Sequence, residues 1–280
     1  MNNVVLMDGK KIKMEVIQEL SDEVKLLDEK PKLVVIQVGR DEASNVYIKQ
    51  KKKMAELVGY QFEHILFDLD VSEEEILEKI DILNESDEVT GILVQMPLPE
   101  GIDGEKIQNR IRSCKDVDGL GIENSGKLFH NREALYSCTP YGIMELLKKY
   151  NISVDGIDVV IVGKSNLVGK PMGIMMLNAG ATVTICHSKT KNLAEYTKRA
   201  DILVVAVGKS KLISSSMVKD GAVVIDVGIN RLDTGLCGDV DFDSVKDKCS
   251  YITPVPGGVG PMTVAMLGKN VLKAYRLQHK

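Results

Sequence analysis

The stretch DVVIVGKSNLVGKPMGIMM, residues 158–176, decides the fold. Its unbroken run of Val and Ile up to Gly163 is typical of a parallel strand that is buried on both faces. A polar turn follows, and a helix is predicted to begin near Gly169, where Pro171 lies in the first turn and its missing N–H costs nothing. Strand, turn and helix in this order predict a βαβ unit. The free amides of the first helical turn and the helix dipole would hold a phosphate or pyrophosphate.

Two named phosphate-binding motifs nearly fit this loop, and both fail. The dinucleotide fingerprint GxGxxG requires glycine where Ser165 stands, and its second spacing is shorter than the one found here. The Walker motif GxxxxGK[ST] is missed by one residue in spacing, and Lys170 is followed by Pro171 instead of Ser or Thr. Nucleotide triphosphate hydrolysis is therefore disfavoured, and a dinucleotide loop is favoured over a simple strand–helix turn.

The end of the next strand indicates which dinucleotide is bound. An NAD site usually carries Asp or Glu at this point to hold the ribose hydroxyls, but ATVTIC is followed by HSKT, residues 187–190, with no acid. Lys164, Ser188, Lys189 and Thr190 are suited to hold a 2′-phosphate, which predicts NADP as the cofactor. His187 is interpreted as a packing or ribose-edge residue in preference to a catalytic one.

Outward from this loop, short apolar strands alternate with helical patterns along most of the chain, which predicts an α/β fold with mostly parallel sheets. Residues 1–139 are expected to form an N-terminal α/β catalytic domain and residues 140–261 a Rossmann-like dinucleotide-binding domain, with a cleft between them. A last helix, about residues 262–280, is expected to pack back on the first domain. Residues 97–136, rich in Gly, Asp and Asn, are interpreted as a long loop region.

Composition narrows the function classes. The 280 residues include 36 basic and 40 acidic side chains, a formal charge of −4, and only 4% aromatic residues. This balance disfavours a nucleic-acid-binding protein, which usually has a basic excess. The five cysteines form no CxxC pair and the four histidines show no ligand spacing, so no metal site is expected. No apolar run approaches the roughly 18 residues of a membrane span, and no signal peptide is recognised, so a cytoplasmic location is expected.

One helix of the first domain carries a candidate proton carrier. Tyr47 and Lys51 are four residues apart and share a face, and Ser44, a candidate substrate-binding residue, lies one turn earlier on that side. A lysine that faces a cleft loses charge by desolvation, which lowers its pKa toward the range that suits general acid–base catalysis. Taken alone, the helix is better described as an ordinary lysine-rich one, in which Lys49, Lys52 and Lys53 form a solvated face.

Three loops supply further candidates. Gln95 follows a predicted strand at the end where ligands bind in α/β sheets. Asp116 and Asp118 lie in CKDVDGLG and have carboxylates that can accept N–H groups of a heterocycle. The loop TPVPGGVGPMT, residues 253–263, has little side-chain bulk, so its backbone can approach a flat ligand closely.

Together these segments closely resemble the bifunctional methylenetetrahydrofolate dehydrogenase/methenyltetrahydrofolate cyclohydrolase family. The resemblance extends from about Gly39 to Thr263, and PVPGGVGPMT and the pair VQMPLP and KDVDG are its most specific parts. The segments that carry it are, in chain order, SNVYIKQK, GILVQMPLP, KDVDG, CTPYG, VIVGKSNLVGKP, TVTICHSKT, GAVVIDVGIN, GDVDF and PVPGGVGPMT.

The resemblance implies reversible oxidation of 5,10-methylenetetrahydrofolate and hydrolysis of the methenyl product to 10-formyltetrahydrofolate in one shared site. It implies that Lys51 is the general acid–base, that Gln95 tunes it, and that Tyr47 stacks on the aminobenzoyl ring. Asp118 is implied to bind the pterin edge, with the loop Pro256, Gly257, Gly258 and Val259 lining the same cleft. The implied NADP contacts are Gly163, Lys164, Ser165, Ser188 and Ile229, and Lys164 stands where many relatives have Arg.

Two other interpretations remain open at this stage. One is a dehydrogenase without cyclohydrolase activity, possibly linked to NAD; retention of Tyr47, Lys51 and Gln95 argues against it. The other is a non-catalytic dinucleotide-sensing protein, which has no need of a proton carrier. The family resemblance also implies a homodimer.

Overall fold

A computed structural model describes residues 4–233 and 235–279 of the chain. It separates into two compact units. We call Met14–Cys138 with Val264–Lys280 the first unit, and Thr139–Thr263 with Met1–Lys13 the second unit. None of the helices in the described part of the chain has the length and apolar character of a membrane span.

The strands of the described residues form two parallel sheets and one small antiparallel hairpin. They are β1 (Val5–Leu6), β2 (Lys32–Val38), β3 (Gln61–Phe67), β4 (Gly91–Val94), β5 (Asp158–Val162), β6 (Thr182–Cys186), β7 (Ile202–Val205), β8 (Val223–Asp226), β9 (Asn230–Leu232), β10 (Gly235–Cys237) and β11 (Tyr251–Ile252).

The helices alternate with these strands along most of the chain. They are α1 (Gly9–Lys25), α2 (Glu42–Val58), α3 (Glu73–Glu85), α4 (Gly104–Arg110), α5 (Ile122–Phe129), α6 (Cys138–Lys149), α7 (Gly169–Asn178), α8 (Leu193–Thr197), α9 (Phe242–Val245) and α10 (Val259–Gln278).

The second unit is built on a sheet of order β1-β11-β8-β7-β5-β6, in which every pairing is parallel. Strands β5, β7 and β8 consist almost wholly of buried Val, Ile and Leu, as expected for strands covered on both faces. The chain runs from β5 to β6 on one side and then to β7 on the other side of β5. The strand order therefore reverses between β5 and β7, the point at which doubly wound sheets bind ligands.

The first unit has a three-stranded parallel sheet of order β3-β2-β4. Its centre is β2, which pairs on both sides and is buried over six of its seven residues. Helix α3, closed at its start by a capping box of Ser72 and Glu75, packs Ile76 and Ile80 against this sheet. Helix α10 joins the unit from the far end of the chain, and Gly268 accepts a hydrogen bond from Tyr60 at 2.9 Å.

The predicted α/β class with parallel sheets is confirmed. The interpretation of residues 97–136 as loop was wrong, because α4 and α5 lie there, both too short to show a helical period. Strand β3 escaped prediction because it lies at a sheet edge and is only half-buried. The chain's first strand, β1, pairs with β11 and so forms the edge of the sheet in the second unit. The sequence analysis placed β1 in the first domain, residues 1–139, and did not predict this pairing.

Candidate active site

Helix α2 carries a lysine on its buried face. The helix begins after Asp41, whose carboxylate accepts the backbone N–H of Ser44 at 2.8 Å. Ile48, Met54 and Ala55 are buried on one side of the helix, and Lys51 is half-buried within this apolar series. These apolar side chains anchor the buried face of α2. Lys51 is the charged residue on that face, and the packing of the helix does not explain its presence there.

The Lys51 ammonium is oriented by an amide. Its Nζ donates to Oε1 of Gln95 at 2.7 Å, and Nε2 of Gln95 donates to the carbonyl of Met96 at 2.6 Å. The second bond fixes which end of the Gln95 amide faces the lysine. Gln95 follows directly after β4 and is buried, so the end of a sheet strand holds the acceptor in place.

Burial and a nearby acid act on Lys51 in opposite directions. Burial lowers the pKa of Lys51, and the charges of Asp118 and Cys138 partly offset that effect. Burial raises the pKa of Asp118, against the charge of Lys51 and a hydrogen bond from the Cys138 thiol. Burial therefore favours the neutral form of Lys51, which is the form that can accept a proton in general acid–base catalysis.

The segment KDVDG positions Asp118 through its neighbours. Lys115 is buried and donates to the carbonyls of Leu83 and Ser86 at the end of α3, at 3.1 and 2.6 Å. Gly119 has a φ of +67°, and a Cβ there would lie 2.3 Å from the backbone of Tyr136. The loop therefore lies against a neighbouring backbone where only glycine fits.

Asp116 is the internal anchor of this loop. It is fully buried, and its carboxylate accepts hydrogen bonds from side chains and backbone amides of its own surroundings. The donors are Gln108, Gly119, Leu120, Gly121 and Asn124. The sequence pattern treated Asp116 and Asp118 alike as possible heterocycle ligands; the structure separates them, because the oxygens of Asp116 are occupied within the protein.

Two residues of this site were missed from the sequence. Cys138 is buried, and its single thiol proton is within reach of both the Asp118 carboxylate and the carbonyl of Val117, which lies 3.5 Å from Sγ. Asn270 of α10 is buried, and its Nδ2 donates to the carbonyls of Val117 and Tyr136 at 2.8 and 2.7 Å. The sequence does show Cys138 within CTPYG and Asn270 as a polar residue in an otherwise apolar helix. Neither residue lies at a spacing from other polar residues that is typical of a catalytic or ligand-binding motif.

The other sequence-predicted residues of α2 lie as the helical period requires. Tyr47 is 45% exposed and Ser44 is 5% exposed, so the tyrosine ring is accessible and the serine is part of the helix's packed start. Lys49, Lys52 and Lys53 are exposed, which confirms the predicted solvated face.

In the second unit, the glycine loop follows β5 at the predicted place. Gly163 has a φ of +131°, and a Cβ there would lie 2.2 Å from the carbonyl oxygen of Ala206. A Cβ on Gly169 would lie 2.1 Å from the carbonyl oxygen of Gly163. Glycine is thus required at both positions. Gly163 approaches the backbone that follows β7, and Gly169 approaches the start of its own loop after β5.

One prediction about this loop was wrong. The first-turn amides of α7 are not bare, because Ser165 binds them itself. Its Oγ accepts the N–H groups of Val168 and Gly169 at 3.1 and 3.4 Å, and its carbonyl accepts that of Lys170 at 3.0 Å. The Ser165 hydroxyl proton is what the side chain has left to offer a ligand.

The ends of β5 and β6 bring together the residues predicted to hold a 2′-phosphate. Gly163 N–H donates to the Cys186 carbonyl at 2.9 Å. Lys164 comes directly after Gly163 and Ser188 comes two residues after Cys186, and both are exposed. Thr190 Oγ1 accepts the N–H of His187 at 2.9 Å, which closes the turn between them. The donor set is cationic and hydroxylic with no acid, and it suits a phosphate.

Ile229 and the loop from Pro256 to Val259 also belong to the second unit. Ile229 is 52% exposed after β8. Gly257 has a φ of +118°, and Gly258 donates to the carbonyl of Pro254 at 2.8 Å. A Cβ on Gly9 would lie 1.7 Å from the Gly258 carbonyl, so two stretches of backbone are in direct contact there.

Comparison with known proteins agrees with this geometry. Residues 7–118 match the family model for the catalytic domain of tetrahydrofolate dehydrogenase/cyclohydrolase, and residues 137–279 match its NAD(P)-binding domain. The chain is 51% identical over 275 residues to the bifunctional protein FolD of Bacillus velezensis, which covers 97% of each chain.

Two solved structures are similar over almost their whole length. The bifunctional FolD methylenetetrahydrofolate dehydrogenase/cyclohydrolase from Campylobacter jejuni has a TM-score of 0.96 at 47% identity, covering 98% of this chain and 99% of that one. Trypanosoma brucei FolD, complexed with NADP cofactor and inhibitor, has a TM-score of 0.94 at 34% identity and full coverage of both. The resemblance inferred from the sequence motifs is thereby confirmed: the chain belongs to the tetrahydrofolate dehydrogenase/cyclohydrolase family.

Proposed function

We propose that this chain catalyses the reversible NADP-dependent oxidation of 5,10-methylenetetrahydrofolate to the methenyl form, and the hydrolysis of that product to 10-formyltetrahydrofolate. The observation that carries the proposal is the half-buried Lys51, bonded to Gln95 at 2.7 Å and facing the charge of Asp118. A non-catalytic dinucleotide sensor has no use for such a group. A dehydrogenase without hydrolytic activity has no use for its lowered pKa.

Lys51 acts in the hydrolytic step as the proton acceptor. Water attacks the cationic methenyl carbon, and the neutral amine of Lys51 takes the proton that the water loses, directly or through a second water. The hydroxyl group of the resulting carbinolamine then loses its proton as the bond between its carbon and N5 breaks, N5 takes up a proton, and the formyl group stays on N10. Gln95 holds Nζ in place during this transfer, and Asp118 stabilises the ammonium once it has formed.

The folate is held by residues of both polar and aromatic character. We assign Tyr47 to stacking against the aminobenzoyl ring, which its exposure permits. Asp118 is assigned to the N–H groups of the pterin edge, and Ser44 supports the start of the helix that carries Tyr47 and Lys51. The loop Pro256–Val259 contributes backbone groups with little side-chain bulk. Because Tyr47, Lys51, Gln95 and Asp118 all belong to the first unit, we assign that unit as the folate-binding catalytic domain.

The second unit holds NADP, which accepts a hydride from the methylene carbon when bound. Lys164, Ser188 and Thr190 are assigned to the 2′-phosphate side, because they follow the paired neighbouring strands β5 and β6. Gly163 and Ser165 lie at the glycine loop, and Ile229 presents an exposed apolar side chain after β8. The absence of an acid among these residues supports NADP over NAD.

We further propose that the protein is a cytoplasmic homodimer that acts on a small-molecule folate and binds neither nucleic acid nor membranes. Strand β3 lies at a sheet edge with half-buried Phe62 and Leu66, which suits pairing with a second copy. Free cysteines, three of them buried, suit a reducing compartment. Sedimentation at micromolar concentration tests the dimer: a species near 62 kDa, twice 30.8 kDa, supports it, and a monomer refutes it.

The function itself is tested with the purified chain and methylenetetrahydrofolate, by following the methenyl-folate absorbance with NADP or NAD in parallel. A rise with NADP, and decay of added methenyl substrate faster than in buffer, are expected. A rise without accelerated decay would leave only the dehydrogenase. No change with either dinucleotide would overturn the proposal.

A further inference from the structure

Two buried carboxylates lie at the ends of the central strands of the second unit. Asp226 is the last residue of β8 and is 4% exposed, and Asp239 is fully buried. Neither belongs to the residues assigned above to folate or NADP. Burying two neighbouring acids is unfavourable unless every oxygen is hydrogen-bonded, so the hydrogen bonds that they make identify what they are for.

Asp239 binds three consecutive amides of one loop. Its Oδ2 accepts the N–H groups of Val207 and Gly208 at 2.7 and 2.9 Å, and its Oδ1 accepts that of Lys209 at 2.7 Å. These residues follow β7. Oδ1 also accepts Nδ2 of Asn230, after β8, at 2.9 Å. A single carboxylate therefore joins the loops that leave two adjacent strands.

Asp226 in turn holds Asp239. Its Oδ1 accepts the backbone N–H of Asp239 at 2.9 Å, and its Oδ2 accepts that of Val240 at 3.0 Å. Its own N–H donates to Thr253 Oγ1 at 2.7 Å. Burial and the charge of Asp239 raise the pKa of Asp226 to about 7, although its backbone hydrogen bonds oppose the shift.

The glycines beside these acids make room for them. A Cβ on Gly228 would lie 2.2 Å from the Asp239 carboxyl group, and a Cβ on Gly238 would lie 1.8 Å from an oxygen of Asp226. The segments GAVVIDVGIN and GDVDF, which the assigned function used only at Ile229, are thereby explained as the two halves of one hydrogen-bonded clamp.

The clamp lies on the opposite side of the strand-order reversal from the proposed 2′-phosphate residues. Those residues follow β5 and β6, whereas Asp239 organises the loops after β7 and β8. Ala206, next to Val207, also contacts the glycine loop at Gly163. A dinucleotide bound across such a reversal places one mononucleotide half on each side, so the loops that Asp239 holds face the half that lacks the 2′-phosphate.

We propose that Asp239 is a positioning residue for NADP: it holds the loop Val207–Lys209 and Asn230 in the arrangement that receives the nicotinamide half of the dinucleotide. The inference rests on the proposed cofactor. It explains why two aspartates are buried at the ends of these strands, although uncharged loop residues would be sufficient to form the turns there.

The test compares two ligands on the same protein by calorimetry: NADP, and 2′,5′-ADP, which lacks the nicotinamide half. In Asp239→Asn, an amide N–H group is brought against the loop amides while the size is kept. We expect at least tenfold weaker NADP binding with 2′,5′-ADP binding within twofold of wild type. Lys164→Ala is the matched control and is expected to weaken both ligands.

Equal weakening of both ligands in Asp239→Asn would show a merely structural role and overturn the inference, as would unchanged NADP binding. If that variant does not fold, Asn230→Ala, which removes one clamp bond, decides by the same comparison with a smaller expected effect, about threefold on NADP alone. Wild-type protein that binds neither ligand would instead overturn the proposed cofactor, so the two failures are distinguishable.

Discussion

Lys51 and Asp118 show that the position of a side chain in the fold, and not its residue type, distinguishes a candidate catalytic residue from a solvated or structural one. Lys49, Lys52 and Lys53 share a helix with Lys51 and are solvated, whereas Lys51 replaces an apolar residue on the buried face of α2. Helical spacing alone predicted that Tyr47 and Lys51 share a side. Nothing in the spacing distinguished Asp118 from Asp116, because the difference arises from donors as distant in sequence as Gln108 and Asn124.

The pH dependence of hydrolysis follows from the same pair. The reaction needs neutral Lys51, so its rate rises with pH through the pKa of that group, which burial places below the usual lysine range. The charge of Asp118 raises this pKa, so Asp118→Asn is expected to shift the acid limb of the kcat/KM profile to lower pH. Glu56→Gln, an exposed change on the same helix, should leave the limb in place. A shift of the Asp118→Asn profile to higher pH would contradict the assignment.

Asp226 offers a second titration at the residue scale. Burial, with the charge of Asp239 adding to it, raises its pKa to about 7. Carbon-13 NMR of the carboxyl groups should show an aspartate signal titrating near neutrality that is absent in Asp226→Asn and moves to lower pH in Asp239→Asn. Titration of every aspartate near the ordinary value of about 4 would contradict this account.

At the scale of secondary-structure elements, the loop KDVDG connects the sheet of the first unit to the candidate active site around Lys51. Gly119→Ala places a Cβ against the backbone of Tyr136 at a positive φ, and is expected to lower the free energy of unfolding by about 2 kcal/mol or more. Gly126→Ala, in α5 with open space around it, is the control and should raise that free energy by up to about 1 kcal/mol. Urea titrations of both variants measure the difference; equal effects would refute the close packing.

Elements differed in how far the sequence predicted them. The doubly buried strands β5, β7 and β8 and the helix α7 are recognisable because apolar runs and a Pro-containing helix start are local signals. Strand β3 is half-exposed at an edge, and α4 is a short helix that begins directly after its N-cap residue Asp103. Neither produces a hydrophobic period, so tertiary contacts decide them. The capping of α7 by Ser165 likewise depends on loop geometry that no spacing reveals.

At the scale of the whole molecule, we expect the proposed preference for NADP over NAD to depend most strongly on Lys164, a cation in the proposed 2′-phosphate set. Lys164→Ala should raise the KM for NADP roughly tenfold to a hundredfold, because it removes a charged contact to the 2′-phosphate, and should leave the KM for NAD within twofold. Lys191→Ala, an exposed lysine of the same unit, should change neither value. A similar increase for both dinucleotides in Lys164→Ala would place the phosphate elsewhere.

The family and the order of the domains followed from the sequence because the motifs are spread over the whole chain. The entry of β1 into the sheet of the second unit did not, since a two-residue strand carries no pattern and its partner β11 lies near the other end of the chain. Long-range pairing of short elements is where a single sequence is least informative.

The most direct test of the account is the rate of methenyltetrahydrofolate hydrolysis in Lys51→Met, measured beside Lys53→Met and wild type. Loss of the proton acceptor should slow hydrolysis about a hundredfold to ten-thousandfold, while Lys53→Met retains the wild-type rate and all three bind NADP equally. Hydrolysis in Lys51→Met within a few-fold of wild type would show that this lysine does not carry the proton.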